Sequence, residues 1–185
     1  MTLDRAPVLA EVHAHVQNEN LRRHMLATEA IMRALASRLG EDSDVWGLVG
    51  LGHDLDAEET EGDVTRHGAQ AAETLHALGL PAEATHAVVA HNPDTGVAAT
   101  ERIDVALIAA DQLSGLITAA ALVRPEKDLA GVKVKSVRKR YREGAFARGV
   151  DRESIARSEE LGVELDEFFA LGLEAMQGIA PELGL

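Results

Sequence analysis

The chain has no cysteine, which removes disulfides, zinc–thiolate sites, iron–sulfur clusters and thiol nucleophiles at once. Any metal it holds must be bound by imidazole and carboxylate. Aromatic residues are scarce at 3% of the chain, while alanine and leucine are abundant, a balance that favours packed helices over a sheet. Positive charge is also short, since 18 lysines and arginines against 31 aspartates and glutamates leave a net charge of −13. Such a surface opposes non-specific attraction to nucleic acid and to anionic membrane. The first residues, Met1-Thr2-Leu3-Asp4-Arg5, lack the charged-then-apolar pattern of a secretion signal. The most apolar long stretch, residues 105–123, has Asp111 and Gln112 at its centre, which suits a core helix better than a membrane span. These absences predict a cytoplasmic, all-α protein, and 185 residues suit one domain with a sizeable core.

Against that background one stretch stands out, Leu48-Val49-Gly50-Leu51-Gly52-His53-Asp54-Leu55-Asp56. An apolar segment ends in an imidazole beside a carboxylate, and the acids Asp56, Glu58, Glu59, Glu61 and Asp63 follow. Burying an uncompensated polar group costs on the order of 2–7 kcal/mol, and a divalent cation bound by both side chains removes that cost most directly. His53-Asp54 therefore reads as half of a metal site whose other half lies on neighbouring helices.

Helical periodicity predicts where those helices run. A leading helix over residues 8–18 carries His13 and His15 on different sides, both read as surface residues. Residues 20–39 form the first strong helix with Gly40 as its stop, and His24 shares its inward face with Thr28, Ile31 and Leu35, either as a hydrogen-bonded core histidine or as a ligand. Asp42, Ser43 and Asp44 supply caps for a helix over 45–55. Thr65 caps a helix over 66–78 whose second residue is His67, Pro81 opens one that closes at His91, and Thr100 caps the longest, 101–123. In that last helix Asp104, Leu107, Ile108, Asp111 and Ser114 or Gly115 share a face, so a carboxylate in its apolar middle needs a partner. A short basic helix over 133–142 and a helix over 152–177 with breaks at Gly162 and Gly172 complete the chain. His76 and His86 lie on helices without a motif and read as structural or exposed.

In order, the inward polar residues are His24, then His53-Asp54, then Asp111, with His67 and His91 between the last two. That order resembles the HD-domain superfamily of metal-dependent phosphohydrolases, whose signature is a histidine, an adjacent histidine-aspartate pair and a later aspartate on helices of one bundle. His53-Asp54-Leu55-Asp56 looks like the H-D-I-D form of the motif, Arg66-His67-Gly68-Ala69 resembles the H-G segment that follows in many members, and Ala109-Ala110-Asp111-Gln112-Leu113 looks like the A-D-x-L helix. The likeness covers residues 20–123. It implies an HD-type metal-binding core there and a helical extension over 124–185, together one domain over 1–185. It also implies that His24, His53, Asp54 and Asp111 ligate one divalent metal, with Asp54 able to bridge to a second ion near His67 and His91. Asn92 follows His91 where many binuclear members carry another histidine, and no G-Y-P follows, which argues against cyclic-di-GMP cleavage. On the residues alone, His67 also reads as an exposed first-turn residue and His91 as a cation favoured at a helix C-terminus.

Two imidazoles and two carboxylates suit Mn, Fe, Co, Ni or Mg in an octahedral shell with open positions for water and a phosphate oxygen. The reaction this implies is hydrolysis of a small nucleotide or related phosphoester by metal-activated water, with Asp54 at its centre. Asp56, Glu58 and Glu59 either orient that water or form a solvated loop. Lys127, Lys133 and Lys135, in a basic run that reaches Arg142, either hold substrate phosphates or belong to a solvated face paired with the acidic surface. Two other functions stay open. One is a di-iron oxygenase, since relatives of this fold use mixed-valent iron with the same type of ligand set. The other is a non-catalytic nucleotide-binding sensor whose helices after Pro125 transmit a signal or pair two copies into a homodimer.

Overall fold

Helix ends are written into this chain by its short polar residues. Asn18 accepts the amides of Asn20 and Leu21, Asp42 those of Asp44 and Val45, and Gly40, left-handed at φ 74°, closes the helix between them. In the structure, a computed structural model that describes residues 4–185, ten α-helices result, and no strand occurs among the described residues. They are α1 (Arg5–His15), α2 (Glu19–Leu39), α3 (Ser43–Gly52), α4 (Ala69–Ala77), α5 (Ala82–Ala90), α6 (Arg102–Leu122), α7 (Val134–Arg142), α8 (Arg152–Ala156), α9 (Leu165–Gly178) and α10 (Ala180–Leu183).

The two 21-residue helices form the axis. α2 packs on α3, α6 and α9, while α6 is surrounded by α2, α5, α7, α8 and α9. By length and composition α6 could cross a membrane, but 61% of its most apolar window is buried inside the protein. It is the central helix of the core. Val137 of α7, Ile155 of α8, and Phe168 and Phe169 of α9 belong to the same contiguous core as Leu35, Leu48 and Leu107. The segment after residue 123 therefore packs into the bundle instead of standing apart from it. α3 lies unusually close to α2, since a Cβ on Gly50 would come within 3.0 Å of the Glu29 backbone. That close approach sets the end of α3, and hence His53, beside His24.

Several boundaries differ from the sequence reading, each for a local reason. α1 begins at Arg5 because Asp4, not a later residue, accepts the Ala6 amide. α3 stops at Gly52, three residues early. No helix runs over 66–78: Asp63 caps a 3-10 turn over Val64–Arg66, Gly68 takes φ 98°, and α4 starts only at Ala69. His67 is left in extended backbone between them. At α6 the cap is Glu101, and the Asp104 carboxylate turns back to accept the amides of Thr100 and Glu101. Gly162 does break the chain, at φ 77°. Gly172 does not: it sits inside α9, where a Cβ would meet Leu113 Cδ2 at 2.6 Å.

Candidate metal centre

His53 is the C-cap of α3, and His91 is that of α5. The last carbonyls of a helix have no amide partner within it, and each ring takes one three residues back. Nδ1 of His53 donates to the Gly50 carbonyl at 2.8 Å, and Nδ1 of His91 donates to that of Val88. Across the groove, the Ser114 hydroxyl gives its proton to the Asp111 carbonyl at 2.8 Å, so it accepts from Nδ1 of His24 at 2.9 Å. Nδ1 of His67 donates to Asp56 Oδ1 at 2.8 Å. All four rings thus carry a proton on Nδ1 and turn Nε2 inward. Outer partners of this kind fix ring orientation and raise ligand basicity.

Asp54 lies where the four rings converge. Its Oδ2 is 3.5 Å from Nε2 of His24 and 3.3 Å from Nε2 of His53. Its Oδ1 is 3.1 Å from Nε2 of His67 and 3.6 Å from Nε2 of His91. Asp111 joins the first pair, with Oδ1 3.0 Å from Nε2 of His24 and 4.0 Å from Nε2 of His53. One carboxylate therefore divides its oxygens between two groups: His24, His53 and Asp111 on one side, His67 and His91 on the other. Ligand atoms of His24, His53 and Asp111, and likewise of His53, Asp54 and His91, all lie within 4.8 Å of one another, a spacing that could hold a metal ion.

The electrostatics need positive charge at the centre. Nε2 of His53 is buried with no hydrogen-bond partner, an orphan that a cation would satisfy. Burial pushes the Asp54 carboxyl up, but the charge of His53 and the close approach of the His53, His67 and His91 rings hold it well below the usual carboxylate range. Burial likewise works against Asp111, and the hydrogen bond from His24 with the charges of His24 and His53 brings it down. For His67 burial opposes protonation, yet hydrogen bonds to Asp54 and Asp56 raise its pKa to about 10. Nε2 of His67 and Nε2 of His91 are only 3.2 Å apart. Two facing lone pairs repel, so either a proton or a metal cation stands between them.

The cluster is closed at its floor and open at its rim. The side chain of His53 is fully buried and that of His91 is 6% exposed, whereas His24 at 24% and Asp111 and His67 at 19% border solvent. An ion seated here would lie next to solvent on the side of His24, Asp111 and His67.

All six metal candidates of the sequence, His24, His53, Asp54, Asp111, His67 and His91, are brought together. The expected roles of the acids after the pair need correction. Asp56 is 2% exposed and faces away from solvent, accepting the amides of Gly68, Gln70 and Ala71 besides the His67 ring. Its contacts are the His67 ring and the first amides of α4. Glu58 turns to the junction of α1 and α2, where it takes the amides of Gln17 and Asn18, and Glu59 pairs with His15 at 3.2 Å. Neither joins the cluster. Lys127, Lys133 and Lys135 are exposed and outside the cluster too. The same basic run spends Arg138 on Asp166, and Lys139 and Arg140 on Glu143, as a solvated face does.

Two contributors escaped the sequence reading. Ser114 orients His24, and its place one turn after Asp111 was the available signal. Gln112 donates to Asp111 Oδ2 at 2.8 Å and accepts the Asp151 amide, tying a metal-ligand candidate to the loop before α8. Its polarity in the apolar middle of the longest helix was the signal available for that glutamine. Comparison with family models, curated proteins and solved structures finds no match to this chain.

Proposed function

We propose that this cluster is the metal centre of an HD-type phosphohydrolase that cleaves a small phosphoester, a nucleotide or a related compound. The observation that carries the reading is the division of Asp54 between two imidazole groups, Oδ2 toward His24 and His53 and Oδ1 toward His67 and His91. A carboxylate so placed suits a bridge between two divalent ions, of which Mn, Fe, Co, Ni and Mg all accept nitrogen and oxygen donors. His24, His53, Asp54 and Asp111 would hold the first, and His67, His91 and Asp54 the second. The order of these residues along the chain, with the H-D-L-D and A-D-Q-L segments, supports the same family.

A metal held there would supply an acidic bound water, its pKa lowered from about 15.7 towards about 7, and Lewis acidity toward a phosphoryl oxygen. The chain supplies the rest. Gly50, Val88, Ser114 and Asp56 lock the four rings with Nε2 inward, so little reorganisation accompanies the reaction. Gln112 holds Asp111 to one rotamer. The open rim at His24, Asp111 and His67 admits water and a small anion from one direction.

The test is metal analysis of the purified chain followed by a screen of phosphoesters with the metal found. Turnover that Asp54→Ala abolishes supports the proposal. An Asp54→Ala chain as active as the parent ends it. Iron at two per chain with an electron paramagnetic resonance signal, and no phosphoester turnover, would replace it with the di-iron oxygenase.

A further inference from the structure

His24 has a second surface. Beside the metal centre it lines a cleft of about 380 Å³ between α2, the second half of α6 and α10. That volume is in the range of small-molecule sites. Asn20 and Arg23 border it on α2, Ala119 and Leu122 on α6, and Leu183 on α10. His24 is the one residue shared by the cleft and the centre, and it places the cleft next to where a substrate's phosphoryl group would sit.

Arg23 is the conspicuous member. Its neighbours in α2 are engaged, Arg22 with Glu19, Arg33 with Glu29 and Asp44, and Arg38 with Glu167. Arg23 forms no ion pair among the described residues, in a chain with 31 acids. Its guanidinium lies over Gly184, where an added Cβ would come within 3.0 Å of it, and Gly184 is left-handed at φ 69°. The turn that ends α10 thus leaves room for the arginine head at the cleft. A free guanidinium at a cleft wall is a fork for a carboxylate or phosphate, which it can hold by two parallel hydrogen bonds. Ala119, Leu122, Leu183 and Leu185 make the apolar part of the wall, Asn20 and Thr118 add polar groups, and no Phe, Tyr or Trp lines the cleft to stack on a base.

We propose that this cleft seats the organic half of the substrate and that Arg23 binds a second anionic group on it. The preferred substrate is then an aliphatic phosphoester carrying a further carboxylate or phosphate, not a nucleoside phosphate. The proposal rests on the metal-centre reading for the position of the first phosphoryl group.

Calorimetric titration with uncleavable probes tests it: butylphosphonate with one anion, 4-phosphonobutyrate with an added carboxylate and butane-1,4-bisphosphonate with an added phosphonate, manganese being present. The parent should bind one or both double anions about tenfold tighter than butylphosphonate. Whichever is favoured identifies the second group. Arg23→Gln should erase that gap and leave butylphosphonate binding unchanged, whereas Ala119→Leu, which fills the aliphatic wall, should weaken all three. Equal binding of the three probes by the parent, a gap that survives Arg23→Gln, or tighter binding of a nucleoside phosphonate overturns the proposal. Hydrolysis of the matching phosphate esters is scored separately. A binding gap without turnover keeps the cleft and ends the hydrolase reading, and turnover without a gap does the reverse.

Discussion

Asp56 Oδ1 lies 2.8 Å from Nδ1 of His67, and the same carboxylate collects the amides of Gly68, Gln70 and Ala71 at the start of α4. One buried acid therefore both aims a ring and caps the helix behind it. Asp56→Asn keeps the shape but puts an NH2 group against donors. Loss of an outer partner typically costs about 10–100-fold in metal affinity. The expected result is loss of that order for the ion near His67 and His91, with the ion near His24 and His53 retained. Titration with manganese, resolved into two binding steps, checks this.

Asp54 and His67 should differ in what their loss removes. Asp54 faces all four rings, so Asp54→Ala should leave the purified chain with neither ion. His67→Ala touches one group only and should leave a single ion. Metal content by mass spectrometry distinguishes none, one and two. Equal metal loss in both variants would mean that the two groups do not act as separate sites.

If His67 holds a metal, its protonation must compete with that ion. Its pKa rises from 6.5 to about 10 in the metal-free chain, through Asp54 and Asp56 against the pull of burial. Because the folded value lies above the ordinary one, the stabilisation is fully present below pH 6.5 and is lost as pH rises through about 10. The melting temperature of the metal-stripped chain should therefore fall between about pH 7 and pH 10. Metal affinity at this position should move the opposite way, tightening by up to about tenfold per pH unit as one proton is displaced. Calorimetry in buffers of different ionisation enthalpy counts that proton, and a count of zero at neutral pH contradicts it.

The bundle was legible in the sequence because caps and periodicity act locally. Asp42 and Asp151, both readable as caps, are the caps of α3 and α8, while Asn18 caps α2 without having been singled out. Periodicity and the apolar run before the pair marked His24, His53-Asp54 and Asp111 as inward polar residues, whereas His67 and His91 entered only through the resemblance; all six lie together in the fold. What escaped was set by tertiary contact. Asp56 looks like one more acid in an acidic loop, and only the folded path of residues 63–71 brings amides to it. Glu58 is indistinguishable from it in the sequence, yet the α1–α2 junction captures its carboxylate. Thr65 reads as a helix cap, but Asp63 caps a short 3-10 turn there instead, and Gly68 supplies the turn that leaves His67 outside a helix.

Gly68 joins backbone geometry to the metal centre most tightly. It takes φ 98°, a region costly for any residue with a side chain, and a Cβ added there would stand 2.6 Å from the Val88 carbonyl oxygen. That oxygen is the acceptor for Nδ1 of His91. The Gly68 amide itself donates to Asp56 at 2.9 Å, the acid that aims His67. Gly68→Ala should therefore cost on the order of 1–3 kcal/mol in backbone strain, and it should also push apart the two rings whose Nε2 atoms lie 3.2 Å from each other. Denaturant unfolding gives the first effect. For the second, the variant should lose the ion near His67 and His91 while keeping the one near His24 and His53. A Gly68→Ala chain of lower stability but full two-ion content would show that the turn serves folding alone.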